Sequence, residues 1–436
     1  MQATAATPRR ELSLVDSTSL IVGIIIGVGI YQTAPEVARG AGSIPGTLLL
    51  WAFGGLVSLC GALAYAELAT AYPRQGGDYV YLTRAYGRPF GFLFAWMQLV
   101  VVRPGDIAVM AFAFAKYAQA AMGGGSPPRE KLMAAAAIVV VTAINVLGVR
   151  QGKWTQNLLT FAKAAGLLLI FAVGLLAPPA APTAAAVDPF PWSVALILVL
   201  FTYGGWNEMA YVAAEVRDPN RNITRALVLG TVGVTALYLL ANAAFFSALG
   251  YGGVAASSAV AADTVAAVVP RHAPQVISLL ICISALGAVN GLVFTGARIS
   301  YAAGQDHRLF GWMGHWEARR STPVRALLVQ GALAVGLVVA LGGLVEAILY
   351  TAPAVYTFYL ATTVAVAVLR RKEPQTARPY RMWAYPAPAI LFGVVCAWLV
   401  YRAIIYKPLI AVGAVVLCLL GVPAYLLSQR LARRAG

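Results

Sequence analysis

This chain is short of charge. Only 11% of its 436 residues are Asp, Glu, Lys or Arg, where a soluble domain carries about 25%, so a water-facing globular surface is excluded over most of its length. Histidine is scarcer still. His272, His307 and His315 fall outside the apolar runs and lack metal-ligand spacing, so no metal or other cofactor is expected. The four cysteines, Cys60, Cys282, Cys396 and Cys418, lie inside apolar runs, where a free thiol behaves as a small hydrophobe. None is placed to form an external disulfide. There is no phosphate-binding glycine loop and no hydrolytic triad, so enzymatic chemistry is not expected.

What is present is apolar. Hydrophobic residues make up 60% of the chain and mean hydropathy is +0.76. Runs near 20 residues recur throughout, each long enough to cross a hydrocarbon core of about 30 Å. The runs are continuous rather than alternating, which argues against a β-barrel, and a soluble bundle of buried helices is the weaker alternative. Hydropathy places spans at 17–38, 46–71, 89–120, 132–149, 155–177, 191–214, 224–249, 274–303, 323–343, 345–369, 386–404 and 408–429. The expected fold is an all-α polytopic membrane protein of about twelve transmembrane helices. The first span follows Arg9 and Arg10 but lacks the small-residue cleavage site of a signal peptide.

Charge orients these spans. Of the 32 lysines and arginines, most fall on the side of the N-terminus, and the opposite side holds only Arg39, Arg129, Lys131, Arg271, Arg402 and Lys407. That bias predicts cytoplasmic N- and C-termini. It also accounts for the net charge of +16 through contact with anionic membrane lipid, with no nucleic-acid partner.

Two spans carry glycine clusters, Gly23-Ile-Ile-Ile-Gly27-Val-Gly29-Ile-Tyr31 and Phe201-Thr-Tyr-Gly204-Gly205-Trp206-Asn207. A helix broken in hydrocarbon strands backbone groups, so a break survives only within protein or beside a cavity. Such breaks at corresponding places in two halves point to a transporter's substrate site; glycines that merely let helices pack closely are the alternative. The first and sixth spans correspond if five spans form each half, which gives an inverted repeat. The expected organisation is a cytoplasmic segment 1–16, a first five-helix repeat 17–177, an outer Pro/Ala linker 178–190, a second repeat 191–369, and two further helices with a tail over 370–436.

The motifs resemble those of the amino acid–polyamine–organocation superfamily, and within it the L-type amino acid transporters. The first cluster resembles that family's Gly-x-Ile-Ile-Gly-Ser-Gly-Ile-Phe. The second, followed by Asp218-Pro219-Asn-Arg221-Asn222, is close to the L-type pattern. Ala64-Tyr-Ala-Glu67-Leu, Gly76-Gly77-Asp78-Tyr79, Arg103-Pro104 and Val289-Asn290-Gly291-x-x-Phe294-Thr295-x-x-Arg298 fit as well, so the likeness runs from about residue 12 to 382.

The resemblance implies a LeuT-like 5+5 inverted repeat with discontinuous helices 1 and 6, holding an L-amino acid at the breaks. N–H groups at Gly27, Val28 and Gly29 suit its carboxylate. Carbonyls near Ile25 and at Phe201 and Gly204 suit its ammonium. Val28 replaces the family's serine, so a hydroxyl contact is absent. Lys163 matches a fifth-span lysine whose ammonium takes the place of a coupling sodium; snorkelling to the interface is the alternative, and it lies about 12 Å into its span. Asn207 matches a pocket position, or else bridges helices. Phe201 and Tyr203 are gate candidates, or packing residues.

Three intramembrane acids remain. Glu67 is expected to pair with a nearby arginine, and Asp106 with Arg103 one helical turn away. The role of Glu208 is open, and a coupling proton on any of the three is the alternative. Arg298, and Asp218 with Arg221, read as inner-side ion pairs.

The function expected is sodium-independent exchange of neutral L-amino acids by alternating access. Proton-coupled uptake, cationic amino acid or polyamine import, and a non-transporting amino acid sensor are the alternatives. Animal relatives hold an accessory glycoprotein through a cysteine between spans three and four. The matching loop here, Met122–Arg129, has none, so no disulfide-linked partner is expected and a prokaryotic inner-membrane carrier is the consistent reading.

Overall fold

The computed structural model describes residues 9–123, 126–178, 190–340, 344–406 and 408–434. Half of the predicted 1–16 segment, most of the 178–190 linker and part of the Met122–Arg129 loop lie outside them. Among the described residues the chain is helical, with only two isolated bridges and no strand.

The chain opens with α1 (Leu14–Ile25), started by a capping box in which Ser13 and Asp16 satisfy one another's backbone N–H groups. It stops at Ile26, and α2 (Gly29–Ala41) departs at 52°. Gly42, at φ 72°, closes α2 in the left-handed region, and Ser43 caps α3 (Ile44–Ala71). Next come α4 (Asp78–Tyr86), α5 (Arg88–Met97), a π-helical turn at 98–102, and α6 (Arg103–Ala121). Then follow α7 (Pro127–Leu147), α8 (Val149–Leu176) and α9 (Trp192–Thr202), the last running through Tyr203–Gly205 into a 3-10 helix, Trp206–Glu215. The remainder comprises α10 (Pro219–Ala256), α11 (Val260–Ala266), α12 (Ala273–Asp306), α13 (Val324–Ala340), α14 (Leu344–Lys372), α15 (Ala387–Tyr406) and α16 (Pro408–Arg434).

Seven described helices are long and apolar enough to cross a membrane, and the bent α1–α2 pair makes an eighth. Of the other predicted spans, 345–369 lies within the 29-residue α14 and the rest are shorter pieces. The 191–214 span divides into α9 and the 3-10 segment, and α13 has 17 residues. Burial separates centre from periphery. The most apolar window of α12 is 78% buried, while that of α16 is 11% buried and presents Val412, Val415, Val416, Leu419 and Leu420 outward, the pattern of a lipid-facing helix.

The two interruptions touch. A Cβ at Gly29 would lie 2.7 Å from Thr202 Oγ1, and one at Gly205 would run into the side chain of Ile24. Gly205 also sits at φ 107°, a conformation that disfavours any side chain. Glycine therefore brings the backbones of α1–α2 and α9 together.

Candidate functional site

Between the interruptions lies a cavity of about 130 Å³. Ile24, Ile25, Gly27, Val28 and Gly29 line it from the first, and Phe201, Thr202, Gly204 and Gly205 from the second. Its other walls are mostly apolar, from α3, α6, α12, α14 and α15.

Backbone bonding decides what the cavity offers. The Gly27 N–H is spent on the Ile25 carbonyl at 2.7 Å. No hydrogen bond among the described residues reaches the N–H groups of Val28 and Gly29, which begin α2 and carry the positive end of its dipole. Of the expected donors at Gly27, Val28 and Gly29, the first is thus occupied and the other two are open. Of the expected carbonyls, those of Ile25 and Phe201 are engaged. That of Ile25 also accepts from Tyr238 Oη at 2.8 Å, and that of Phe201 accepts from the N–H of Gly204. The carbonyls of Ile24 and Gly204 have no donor among the described residues. One cavity therefore presents two donors suited to a carboxylate and two acceptors suited to an ammonium.

Lys163 lies outside the cavity lining and is fully buried on α8. Its Nζ donates to the carbonyls of Gly23 at 2.6 Å, Ile26 at 2.8 Å and Ser284 at 2.8 Å, using all three protons. No carboxylate lies within 4 Å of it among the described residues. Snorkelling is excluded by this geometry. Ser284 Oγ shares its one proton between the carbonyls of Ile26 at 2.8 Å and Gly27 at 3.0 Å, so the carbonyls freed by the first break are nearly all engaged. Tyr238 Oη reaches Ile25 of the first break and, at 3.3 Å, Thr202 of the second. Ser284 and Tyr238 escaped the sequence reading, because a lone hydroxyl in an apolar run has no spacing signal.

Asn207 does not line this cavity. Its Nδ2 donates to Tyr211 Oη at 3.0 Å and its Oδ1 accepts from Tyr359 Oη at 2.7 Å. Tyr211 then donates to Asp78, which also accepts from Tyr65 and Thr362. Asn207 is thus a link from the cavity wall at Tyr359 to Asp78 at the start of α4. Phe201 lines the cavity. Tyr203 does not: it is buried against Trp51 and Tyr238 and donates to the Trp51 carbonyl.

The acids need one correction. Arg103 does not pair with Asp106. Its Nη1 meets Glu208 Oε2 at 2.8 Å, its Nε meets Gln98 at 2.9 Å, and its guanidinium lies 4.8 Å from the Tyr211 ring centre. The π turn before Arg103 widens the helix and stacks Gln98 beneath it. Asp106, freed from Arg103, lines the cavity and accepts a hydrogen bond from Thr351. Glu208 also lines the cavity and accepts from Thr295. Glu67 pairs with Arg370 and Arg378, as the sequence suggested.

The side bearing the N-terminus is tied shut beneath the breaks. Leu12 pairs with the segment after the 3-10 helix, its N–H reaching the Glu215 carbonyl and its carbonyl the Arg217 N–H, both at 2.8 Å. Arg298 Nε meets Glu215 Oε1 at 2.8 Å, and Gln75 joins the same carboxylate. Asp218 makes no ion pair with Arg221 among the described residues. It turns the chain into α10 at φ 47°.

Comparison with known proteins is consistent with this arrangement. The amino acid permease family profile matches residues 12–422. The b(0,+)-type amino acid transporter 1 of Homo sapiens is 32% identical over 411 residues, covering 92% of this chain and 84% of the relative. The large neutral amino acids transporter small subunit 2 of Mus musculus is 31% identical over 435 residues, 96% and 81% of the two chains. The Asc-type amino acid transporter 1 of Mus musculus is 30% identical with the same coverage.

Proposed function

This chain belongs to the amino acid permease family, and from that premise we propose that it exchanges L-amino acids across a membrane without sodium. The observation that carries the reading is the pair of touching breaks, with open donors at Val28 and Gly29 and open acceptors at Ile24 and Gly204 around one cavity. An amino acid's carboxylate and ammonium match those two sets. Recognition through main-chain groups leaves the cargo's side chain to the remaining walls.

The ammonium of Lys163 supports sodium independence. It holds the carbonyls of Gly23 and Ile26, the kind of oxygen set that coordinates a cation where a membrane helix unwinds. Alternating access would proceed by rocking of the two five-helix sets about the breaks, within twelve spans and with both termini in the cytoplasm. Release inward would require parting of the Leu12–Val216 and Glu215–Arg298 contacts. A prokaryotic inner membrane without a disulfide-linked subunit is the setting proposed. The relatives are named as amino acid transporters, which favours a carrier over a sensor on the same fold.

The test is counterflow in proteoliposomes with a panel of amino acids, with and without internal substrate, sodium and a pH gradient. Labelled amino acid should accumulate only when unlabelled amino acid is inside, independently of sodium. Uptake into empty vesicles driven by outside acid would replace exchange with proton coupling. Binding without flux would make the protein a sensor.

A further inference from the structure

We propose that the wall of this cavity that bears Asp106 is a receptor for a cationic side chain, with Asp106 as the residue that selects it. The inference rests on the amino acid reading above and names the class of cargo.

Asp106 faces the cavity with one described partner, the Thr351 hydroxyl. The neighbouring cation, Arg103, is already matched to Glu208 at 2.8 Å. The cavity wall therefore carries one carboxylate in excess of its described cations. An intramembrane carboxylate that faces a cavity marks a substrate or ion pathway.

The surrounding rings point to what that counter-charge is. Trp206, Tyr356, Tyr359 and Phe392 line the same cavity. Trp206 lies 5.5 Å from Tyr359 and 5.4 Å from Phe392 by ring centres, and Tyr356 lies 6.2 Å from Tyr359. A cluster of aromatic faces beside a carboxylate is the arrangement that binds an organic ammonium, through ring quadrupole and charge together. A proton would need the acid but not the rings. The cargo favoured is an amino acid whose chain ends in a positive charge, such as lysine, ornithine or arginine. Its main-chain groups would lie at the breaks and its terminus between Asp106 and the rings.

The deciding experiment is competition in counterflow of labelled leucine by lysine and by norleucine, which has a chain of similar length without the terminal charge. Lysine should compete at least as well as norleucine with the wild-type protein. Asp106→Asn should lower the potency of lysine relative to norleucine by about tenfold, the effect of roughly 1.4 kcal/mol, whatever it does to the leucine rate; Asp106→Glu should restore that ratio. Leucine counterflow that lysine does not inhibit would overturn the proposal and leave the exchange reading standing. So would an Asp106→Asn variant with an unchanged lysine-to-norleucine ratio. Loss only of a dependence on pH would assign Asp106 to a proton instead. Absence of exchange for every amino acid in the wild type would overturn the exchange reading itself. Should Asp106→Asn be inactive toward all substrates, the wild-type lysine-to-norleucine ratio decides alone.

Discussion

Two buried cations within this bundle are held in opposite ways. Arg103 has a carboxylate at 2.8 Å, an amide and an aromatic face. Lys163 has three backbone carbonyls and no acid. A buried ion pair is a closed unit, in which each partner's desolvation is offset by the other and by added hydrogen bonds. An ammonium in a shell of carbonyls is different, because two of its three ligands, at Gly23 and Ile26, are the frayed end of a helix and are free only while that helix is broken. The Arg103 region joins α6 to the segment after the second break. The Lys163 region holds open the first break itself.

Removing Lys163 should sharpen that contrast most. Lys163→Ala strands the Gly23 carbonyl, leaves that of Ile26 to Ser284 alone and opens a void in the core, so counterflow should fall by tenfold or more, about 1.4 kcal/mol at least. A wild-type rate in this variant would remove Lys163 from the mechanism. Breaking the other unit should show first in stability. Glu208→Ala leaves the Arg103 guanidinium buried without its acid, at a cost of about 3–5 kcal/mol, read as a lowered unfolding temperature in detergent. If Glu208→Ala unfolds like the wild type, the pair is not the lock described.

Closer to the contact of the breaks, Gly29→Ala pushes a methyl against Thr202 Oγ1. It should cost about 1–3 kcal/mol as overpacking, and pairing it with Thr202→Ser should recover part of the lost transport. Tyr238→Phe removes a hydroxyl that reaches both breaks. Loss of about 0.5–1.5 kcal/mol is expected, with slowed exchange and little change in fold. The smallest effect lies at the membrane edge. Arg84, bonded to the Glu373 carboxylate, holds it below its usual range. Its stabilisation is complete above the unfolded-state value and is lost as pH falls through the folded one. Glu373→Gln should therefore flatten the acid limb of the stability profile slightly, since the pair is partly exposed. An unaltered limb would mean that the pair contributes nothing.

How much of this could be read in the residues follows from the range of each signal. Helix interruption is local, so Gly23–Gly29 and Phe201–Gly205 announced both breaks. A lone lysine in an apolar run is equally conspicuous. The boundary of the open donors shifted by a residue because a tight turn from Gly27 to Ile25 consumes an N–H, which no hydropathy pattern encodes. The pairing of Arg103 with Asp106 failed because i,i+3 spacing within α6 permits a pair without selecting it, and a long guanidinium reaches partners on other elements. Its true partner lies 105 positions away. Asp106 is thereby left to the cavity, so one long-range contact altered the chemistry of the pocket.

The tether on Lys163 has a thermodynamic meaning of its own. A dissolved ion has a concentration on each side of a membrane, and a difference between the two is a store of work. An ammonium fixed by a covalent stem has neither. It can satisfy the same carbonyls but carries nothing down a gradient. On the reading proposed above, the free energy available to the carrier is then that of its own cargoes, their unequal abundance and any charge they carry across the membrane potential, and a cell would set its direction by what it chooses to accumulate.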